Sequence, residues 1–182
     1  YGIKHNNRGI NMQEHLVIIG GVAAGPKAAA KARRENPDLK ISLYTDDENI
    51  SYSACGLPYF IRGTFEKAER LLVRTKEEFK QKENIDIYTK HRVIKIHPES
   101  KEVEVKNLET DEVFRVNYTK LLIATGAKPF LPPCEGHKLN NVFTLRSVND
   151  GIAIKNALLK AKKAVIVGAG SIGLESLEAF IE

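Results

Sequence analysis

The chain alternates short apolar runs with polar and glycine-rich stretches, and this pattern predicts strands and helices in turn. Apolar-rich runs at 15–19, 40–44 and 121–124 are typical of strands buried in a parallel sheet. Between the first two runs, an alanine-rich segment predicts a helix to about Arg34. Strand, helix and strand in this order indicate a parallel α/β layer.

Alternating polar and apolar residues further along the chain predict a small antiparallel layer. The alternation covers 93–96 and 102–105, with a third strand near 113–116. Another short strand is predicted at 85–88. We therefore expect residues 13–128 to combine a parallel sheet, helices and an antiparallel layer.

A second strand, glycine turn and helix are predicted in the C-terminal part of the chain. Prolines between 129 and 133 mark a crossover linker. Ser147 with Asp150 predicts a capped helix to about Lys162. The apolar run 164–167 then predicts a strand, and a helix should follow the glycines after it.

Glycines follow both apolar runs at the position where a dinucleotide-binding fold needs them. There they let the backbone approach a pyrophosphate at the N-terminus of the next helix. The first motif has Val22 in place of its middle glycine, whereas the second is a complete Gly-x-Gly-x-x-Gly. Two motifs in this context indicate two nucleotide sites. The candidate cofactor-binding residues are Gly20, Gly21, Val22, Ala23, Ala24 and Gly25, and then Gly168, Gly170, Gly173 and Glu175.

Charged residues near the first motif supply further candidates. Asp46 and Asp47 follow the second predicted strand, where an acid would bind the ribose hydroxyls; a solvated turn is the alternative. Lys27, Lys31 and Arg34 are spaced i, i+4 and i+7, so they share one face of the first helix. This face is either simply solvated or a cradle for the phosphates of a second ligand.

Cys55 is the candidate catalytic residue. Gly56-Leu57-Pro58 predicts the start of a helix, where proline is tolerated, and a helix N-terminus favours a thiolate. Because Cys134 is far away in sequence, Cys55 should cycle with a partner molecule; a small buried hydrophobe is the alternative. Two nucleotide sites and one thiol are typical of an enzyme that moves electrons from a nicotinamide through a flavin to sulfur.

Composition limits the classes of protein and partner. The 182 residues include 28 basic and 23 acidic side chains, giving a net charge of +5. These charges are interspersed, which favours small anionic ligands over nucleic acid. Two cysteines give no disulfide framework, and neither a membrane span nor a signal peptide is visible. We therefore expect a cytoplasmic protein without membrane contact, and we identify no metal site.

Five segments carry a resemblance to a known family: 18–25, 50–59, 71–75, 121–127 and 168–175. Together they resemble the single-cysteine pyridine nucleotide-disulfide oxidoreductases, which include coenzyme A disulfide reductases and NADH oxidase-like relatives. The resemblance implies an α/β fold with an FAD-binding Rossmann-like three-layer domain and a small antiparallel layer. The start of a second Rossmann-like, NAD(P)-binding domain would follow. The implied boundaries are an extension or cloning remnant at 1–11, the FAD-binding domain at 12–144 and the truncated NAD(P)-binding domain at 145–182.

The resemblance also implies an activity. FAD would bind at the first glycine motif, bordered by Val93, Thr125 and Gly126, and NADH or NADPH would bind at the second. Cys55 would alternate between a thiolate and an oxidised form, and would reduce a coenzyme A disulfide or persulfide. Candidate residues for the coenzyme A substrate are Lys27, Lys31, Arg34, Ser51 and Arg74. The alternatives are an NADH oxidase that reduces oxygen or peroxide and a non-catalytic nucleotide-binding fragment.

Five positions depart from patterns of this family and its relatives. Thr45 stands where an acid usually closes the second strand, and Asp46 comes next. Ala54 replaces an asparagine that often precedes the cysteine, and Ser171 replaces a tyrosine that covers the flavin. Ala23 replaces the histidine of peroxidases and water-forming oxidases, which disfavours peroxidase activity. Phe60 stands where a dithiol enzyme has its second cysteine.

The second glycine motif is followed by a single helix, whereas a βαβ unit needs roughly 30 residues or more. The family also has a segment that completes the flavin domain and a C-terminal dimerisation domain. We therefore expect a fragment of a longer protein or a shortened product, and a homodimer for the full-length protein.

Overall fold

The computed structural model of the protein describes residues 13–181. Residues 1–12 and 182 lie outside this part, and so does the predicted extension at 1–11. No helix in the described part has the length and apolar character needed to cross a membrane. Its strands and helices are β1 (His15–Ile19), α1 (Ala24–Glu35), β2 (Lys40–Tyr44), α2 (Leu57–Arg62), α3 (Lys76–Glu83), β3 (Asp86–Tyr88), β4 (His91–His97), β5 (Glu102–Asn107), β6 (Val113–Asn117), β7 (Lys120–Ile123), α4 (Val148–Leu158) and α5 (Ser171–Ile181).

Four strands form the predicted parallel sheet, in the order β3-β2-β1-β7. Val17, Ile18 and Leu43 are completely buried in it. Successive side chains of a strand point to opposite faces of the sheet. Burial of the neighbours Val17 and Ile18 therefore shows that both faces of β1 are covered, as its continuous apolar run predicted.

The other three strands form an antiparallel sheet in the order β4-β5-β6, also as predicted. Val103 and Val105 alternate with partly exposed residues along β5 and are themselves completely buried. They pack in one core cluster with Val17, Ile19 and Tyr44 of the parallel sheet. The antiparallel layer therefore covers one face of the parallel sheet.

The described chain forms two compact units, residues 13–48 with 77–124 and residues 49–76 with 125–181. The second unit contains α2, α4 and α5, and its core includes Ile61, Ile154 and Ala179. The predicted domain boundary between 144 and 145 concerns two nucleotide-binding domains and stays a prediction.

The helix predicted after Ser147 is present with its cap. The Asp150 N–H donates to Ser147 Oγ over 3.2 Å, and the Ser147 N–H donates to Asp150 Oδ2 over 2.8 Å. This reciprocal capping box fixes the start of α4. The helix ends at Leu158, four residues before the predicted end.

The prediction of a strand at 164–167 is wrong. These residues form no strand, and Val165 and Val167 are 88% and 85% exposed. A strand exists through hydrogen bonds to a neighbouring strand, and no other segment within residues 13–181 pairs with this one. The helix expected after the glycines, α5, does form.

Candidate nucleotide and thiol sites

The first glycine turn connects β1 to α1, and its shape depends on two glycines. Gly20 has a φ of +115°, which glycine adopts without strain, and its N–H donates to the Tyr44 carbonyl oxygen over 2.8 Å. A Cβ on Gly25 would lie 2.0 Å from the Gly20 carbonyl oxygen and 3.2 Å from Ile18 Cγ2. Glycine at 25 is therefore what lets the first turn of α1 pack against the end of β1.

The start of α1 has the properties of an anion site. Ala23 at the N-cap makes no side-chain hydrogen bond, and the first turn contains no acidic residue. The first N–H groups of a helix lack partners within the helix and carry the positive end of its dipole. The turn therefore fits a pyrophosphate group.

Asp46 is the first exposed side chain beyond β2. The Gly20–Tyr44 hydrogen bond places the end of β2 beside the glycine turn, at the carboxyl edge of the sheet. Asp46 Oδ2 lies 3.2 Å from Arg92 Nε. Thr45, in contrast, is only 6% exposed. An acid that contacts a ribose at this edge would therefore be Asp46, with Asp47 only partly exposed beside it.

The three cations predicted on one face of α1 are all exposed. Lys31 is ion-paired with Glu35, whereas Lys27 and Arg34 form no ion pair with any residue from 13 to 181. Arg33, which the sequence did not single out, donates to the carbonyl oxygens of Glu83 and Asn84 over 2.8 and 3.0 Å. Arg33 therefore ties α1 to the end of α3, and the cationic face remains open to solvent.

Cys55 lies in the second unit, in a 3₁₀ turn (Ala54–Gly56) directly before α2. Its thiol is exposed, and its Sγ lies 3.2 Å from Ser53 Oγ. The predicted start of a helix just after the cysteine is confirmed. The alternative of a buried hydrophobic residue is wrong.

The segment before Cys55 is held by the segment that follows residue 70. The Ser53 N–H donates to the Leu71 carbonyl oxygen over 2.8 Å, and the Val73 N–H donates to the Ser51 carbonyl oxygen over 2.7 Å. Ser51 has a φ of +46°, which is uncommon outside glycine. The pairing brings the backbone next to Arg74 alongside Ser51, so two of the predicted substrate residues lie on neighbouring segments.

The turn predicted to border the flavin lies in the same unit as Cys55. Gly126 is exposed and has a φ of +66°. Arg146 Nε donates to the Ala127 carbonyl oxygen over 3.2 Å, and Arg146 Nη2 lies 3.0 Å from where a Gly126 Cβ would be. Arg146 was not among the residues predicted from the sequence, because its position before the capping Ser147 is the one feature that distinguishes it there.

Val93, the other residue predicted to border the flavin, lies in the first unit, half-buried beside a bulge of β4.

The second glycine turn repeats the local geometry of the first, although no strand precedes it. Gly168 has a φ of +108°. A Cβ on Gly173 would lie 2.1 Å from the Gly168 carbonyl oxygen and 3.5 Å from Ile166 Cγ2. Gly170 has open space around it, and Glu175 is exposed on α5. The turn is therefore formed by its own glycines and the helix that follows.

Comparison with known proteins identifies the family. A profile of the pyridine nucleotide-disulphide oxidoreductases matches residues 14–182, and the chain belongs to this family. It is 39% identical over 161 residues to an NADH oxidase of Methanocaldococcus jannaschii, covering 87% of this chain and 36% of that protein. It is 37% identical over 165 residues to a coenzyme A disulfide reductase of Staphylococcus haemolyticus, covering 90% of this chain and 37% of that protein.

A solved structure of an NAD-dependent persulfide reductase from A. fulgidus has a TM-score of 0.88 and 37% sequence identity. The match covers 92% of this chain and 32% of that one. The family and the α/β fold class predicted from the sequence are thus confirmed. The chain spans 36% and 37% of the length of the two curated relatives described above.

Proposed function

We propose that the protein containing this chain is a flavin-dependent oxidoreductase. It passes electrons from NAD(P)H through FAD to Cys55, which reduces a coenzyme A disulfide or persulfide. The observation that carries the proposal is the exposed Cys55 thiol before α2, in a chain with two glycine turns of matching geometry. With a coenzyme A disulfide, NAD(P)H and one proton yield NAD(P)⁺ and two coenzyme A thiols.

The first glycine turn would hold FAD. The close packing at Gly25 opens the helix N-terminus to a pyrophosphate, and Asp46 would accept hydrogen bonds from the ribose hydroxyls. Val93 and the Thr125–Gly126 turn would border the ring system. Bound FAD supplies the two-electron transfer between nicotinamide and sulfur. The second turn, from Gly168 to Gly173, would hold NADH or NADPH.

Cys55 would act as the nucleophile. Its thiolate attacks one sulfur of a coenzyme A disulfide, a Cys55–coenzyme A disulfide forms, and a coenzyme A thiolate leaves and takes a proton from water. Two electrons then cleave the mixed disulfide, which restores the Cys55 thiolate and releases the second coenzyme A. Phe60, where a dithiol enzyme has a cysteine, is 4% exposed in the second unit. The substrate therefore supplies the second sulfur.

The residues proposed to contact the substrate are cations and a serine. Coenzyme A carries several phosphates, and Lys27 and Arg34 present charges that are not paired with any residue from 13 to 181. Lys31 would contribute once its pairing with Glu35 exchanges for a phosphate. Ser51 and Arg74 are proposed as further contacts of coenzyme A, as the resemblance to the family implies.

An NADH oxidase is the second candidate, because the relative from M. jannaschii carries that name. The two activities separate in full-length protein assayed with NADH. Release of thiol from coenzyme A disulfide without oxygen supports the reductase. Oxygen consumption without anaerobic thiol release supports the oxidase.

Cys55→Ser should abolish disulfide turnover, and unchanged turnover would remove Cys55 from the mechanism.

A third candidate is a nucleotide-binding chain without turnover. Residues 1–182 expressed alone would then bind nucleotide but never oxidise NADH. The full-length flavoenzyme, in contrast, would show a bound-flavin spectrum and would oxidise NADH. A colourless full-length protein that FAD cannot reconstitute would contradict the flavoenzyme proposal.

We also propose the arrangement of the full-length protein. The FAD-binding domain would begin with residues 12–144, the NAD(P)-binding domain would begin at 145–182, and two copies would form a homodimer in the cytoplasm. Light scattering on the purified full-length protein tests the homodimer, since it should give twice the subunit mass.

A further inference from the structure

We propose that the Ser53 hydroxyl is a catalytic hydrogen-bond donor that stabilises Cys55 as a thiolate. The inference rests on the proposed function, because it concerns the same reacting sulfur. It assigns a role to a residue of this chain that is not among the site residues predicted from the sequence.

The contact between the two side chains is direct. Ser53 Oγ lies 3.2 Å from Cys55 Sγ, and within residues 13–181 it is the one hydrogen-bond partner of that sulfur. A thiolate cannot donate a hydrogen bond, so with the sulfur ionised the serine hydroxyl is the donor. The intervening Ala54 has no polar side-chain atom. Ser53 therefore supplies the polar side-chain contact at this thiol.

The backbone on both sides of the hydroxyl is fixed. The Ser53 N–H donates to the Leu71 carbonyl oxygen over 2.8 Å, and the Ser53 carbonyl oxygen accepts from the Gly56 N–H over 3.0 Å. A Cβ on Gly56 would lie 2.9 Å from Leu71 Cδ2 and 3.4 Å from Ser53 Oγ. The turn around Cys55 is thus closely packed against residue 71, and the hydroxyl is held near the sulfur before any substrate arrives.

Negative charge appears on the Cys55 sulfur at two points of the proposed reaction. It is present before attack on the disulfide, and it returns when the mixed disulfide is cleaved. A hydrogen bond to an ionised group is stronger than one between neutral groups, so the Ser53 hydroxyl favours the charged state at both points. Because Cys55 is exposed, water replaces part of the lost bond when the hydroxyl is removed. We therefore expect a roughly tenfold loss of thiolate reactivity, equivalent to about 1.4 kcal/mol.

Alkylation of the full-length holoenzyme tests this role. Iodoacetamide is added at neutral pH, and mass spectrometry follows the peptides that contain Cys55 and Cys134. Ser53→Ala should slow modification of Cys55 about tenfold, and Ser53→Thr, which keeps a hydroxyl, should restore most of the rate. Cys134, which is also exposed, should react at an unchanged rate in the same samples and serves as the internal reference.

Two further variants control for structural effects. Thr64→Ala removes another exposed hydroxyl of the second unit and should leave the Cys55 rate unchanged. Ser53→Gly, a second variant without the hydroxyl, should be as slow as Ser53→Ala, provided that both retain flavin and native circular dichroism. If Ser53→Ala fails to fold, Ser53→Gly against Ser53→Thr makes the same comparison.

Two results would overturn the inference: an unchanged Cys55 rate in folded protein without the hydroxyl, or a Ser53→Thr rate as slow as that of the variants lacking it. Steady-state assays add a second readout, in which loss of the hydroxyl lowers kcat for coenzyme A disulfide and leaves KM within about twofold. Failure of the proposed function is distinguishable, because Cys55→Ser would then retain disulfide turnover whatever the alkylation rates show.

Discussion

Replacement of Gly25 by alanine tests whether the packing of the first glycine turn holds the candidate FAD site together. The new Cβ would lie 2.0 Å from the Gly20 carbonyl oxygen and 3.1 Å from its carbonyl carbon. Carbon and oxygen in close contact are normally roughly 3.3 Å apart. The end of β1 and the start of α1 must therefore separate by about 1.3 Å. The two Gly20 atoms that the new Cβ meets belong to the backbone, so no side chain can move aside to make room.

The expected cost follows from this displacement. Overpacking that shifts backbone atoms costs about 3 kcal/mol, and alanine normally favours a helix by about 1 kcal/mol over glycine. The net loss in free energy of unfolding is then about 2 kcal/mol, or roughly a 30-fold fall in the folded-to-unfolded ratio. Separation of the turn also moves the N–H groups at the start of α1, so FAD affinity should fall with stability.

Two measurements on the full-length protein check this expectation: urea unfolding followed by far-UV circular dichroism, and the temperature at which bound flavin is released. Gly170→Ala is the matched control, because nothing lies within 4 Å of its added Cβ; its free energy of unfolding should change by less than about 0.5 kcal/mol. Gly173→Ala has the same type of clash as Gly25→Ala, at 2.1 Å, and should also be destabilising. A Gly25→Ala protein with unchanged stability and flavin release would refute the reasoning.

Three other outcomes are expected. Asp46→Asn should weaken FAD binding to the apoprotein about tenfold, because a charged acceptor for the ribose is lost; an unchanged fluorescence titration would contradict this. Burial lowers the pKa of His15 from its usual 6.5, so stability should be full above that pH and decline below it. Urea unfolding of His15→Gln should show a weaker pH dependence, and equal slopes would count against the histidine. Lys27→Ala combined with Arg34→Ala should raise KM for coenzyme A disulfide several-fold with little change in kcat, and high salt should reduce the difference; a salt-independent effect would argue against phosphate contacts.

Much of the fold could be predicted because its signals are local. The run at 15–19 and the alanine-rich helix after it are periodic patterns within a few residues, and β1 and α1 form where those patterns lie. The glycines at 20 and 25 are required by the conformation and close packing of their own turn. The cap at Ser147 is equally local, since its partner is three residues away.

The candidate site was predicted less completely, because several of its contacts join residues that are distant in sequence. Heptad-like spacing grouped Lys27, Lys31 and Arg34 correctly, but it could not show that Arg33 binds the end of α3, 50 residues further along the chain. Arg146 donates a hydrogen bond to the carbonyl oxygen of Ala127, 19 residues earlier, and no local sequence pattern predicts that contact. Burial of Thr45, which makes Asp46 the first exposed acid after β2, likewise depends on the neighbouring strands.

The sequence by itself determined the order of the strands of both sheets, both glycine turns and the presence of an isolated cysteine before a helix, since these depend on residue type and short spacing. Tertiary structure alone decided which segments pair. Among residues 13–181 it left the apolar run 164–167 without a partner strand, although its composition is that of a strand. It also fixed the backbone of residues 51–53, whose Ser53 hydroxyl lies beside Cys55, by pairing them with 71–73. Hydrogen bonding between distant segments settled both outcomes, because a backbone N–H or carbonyl group is satisfied only by a partner that the fold brings to it.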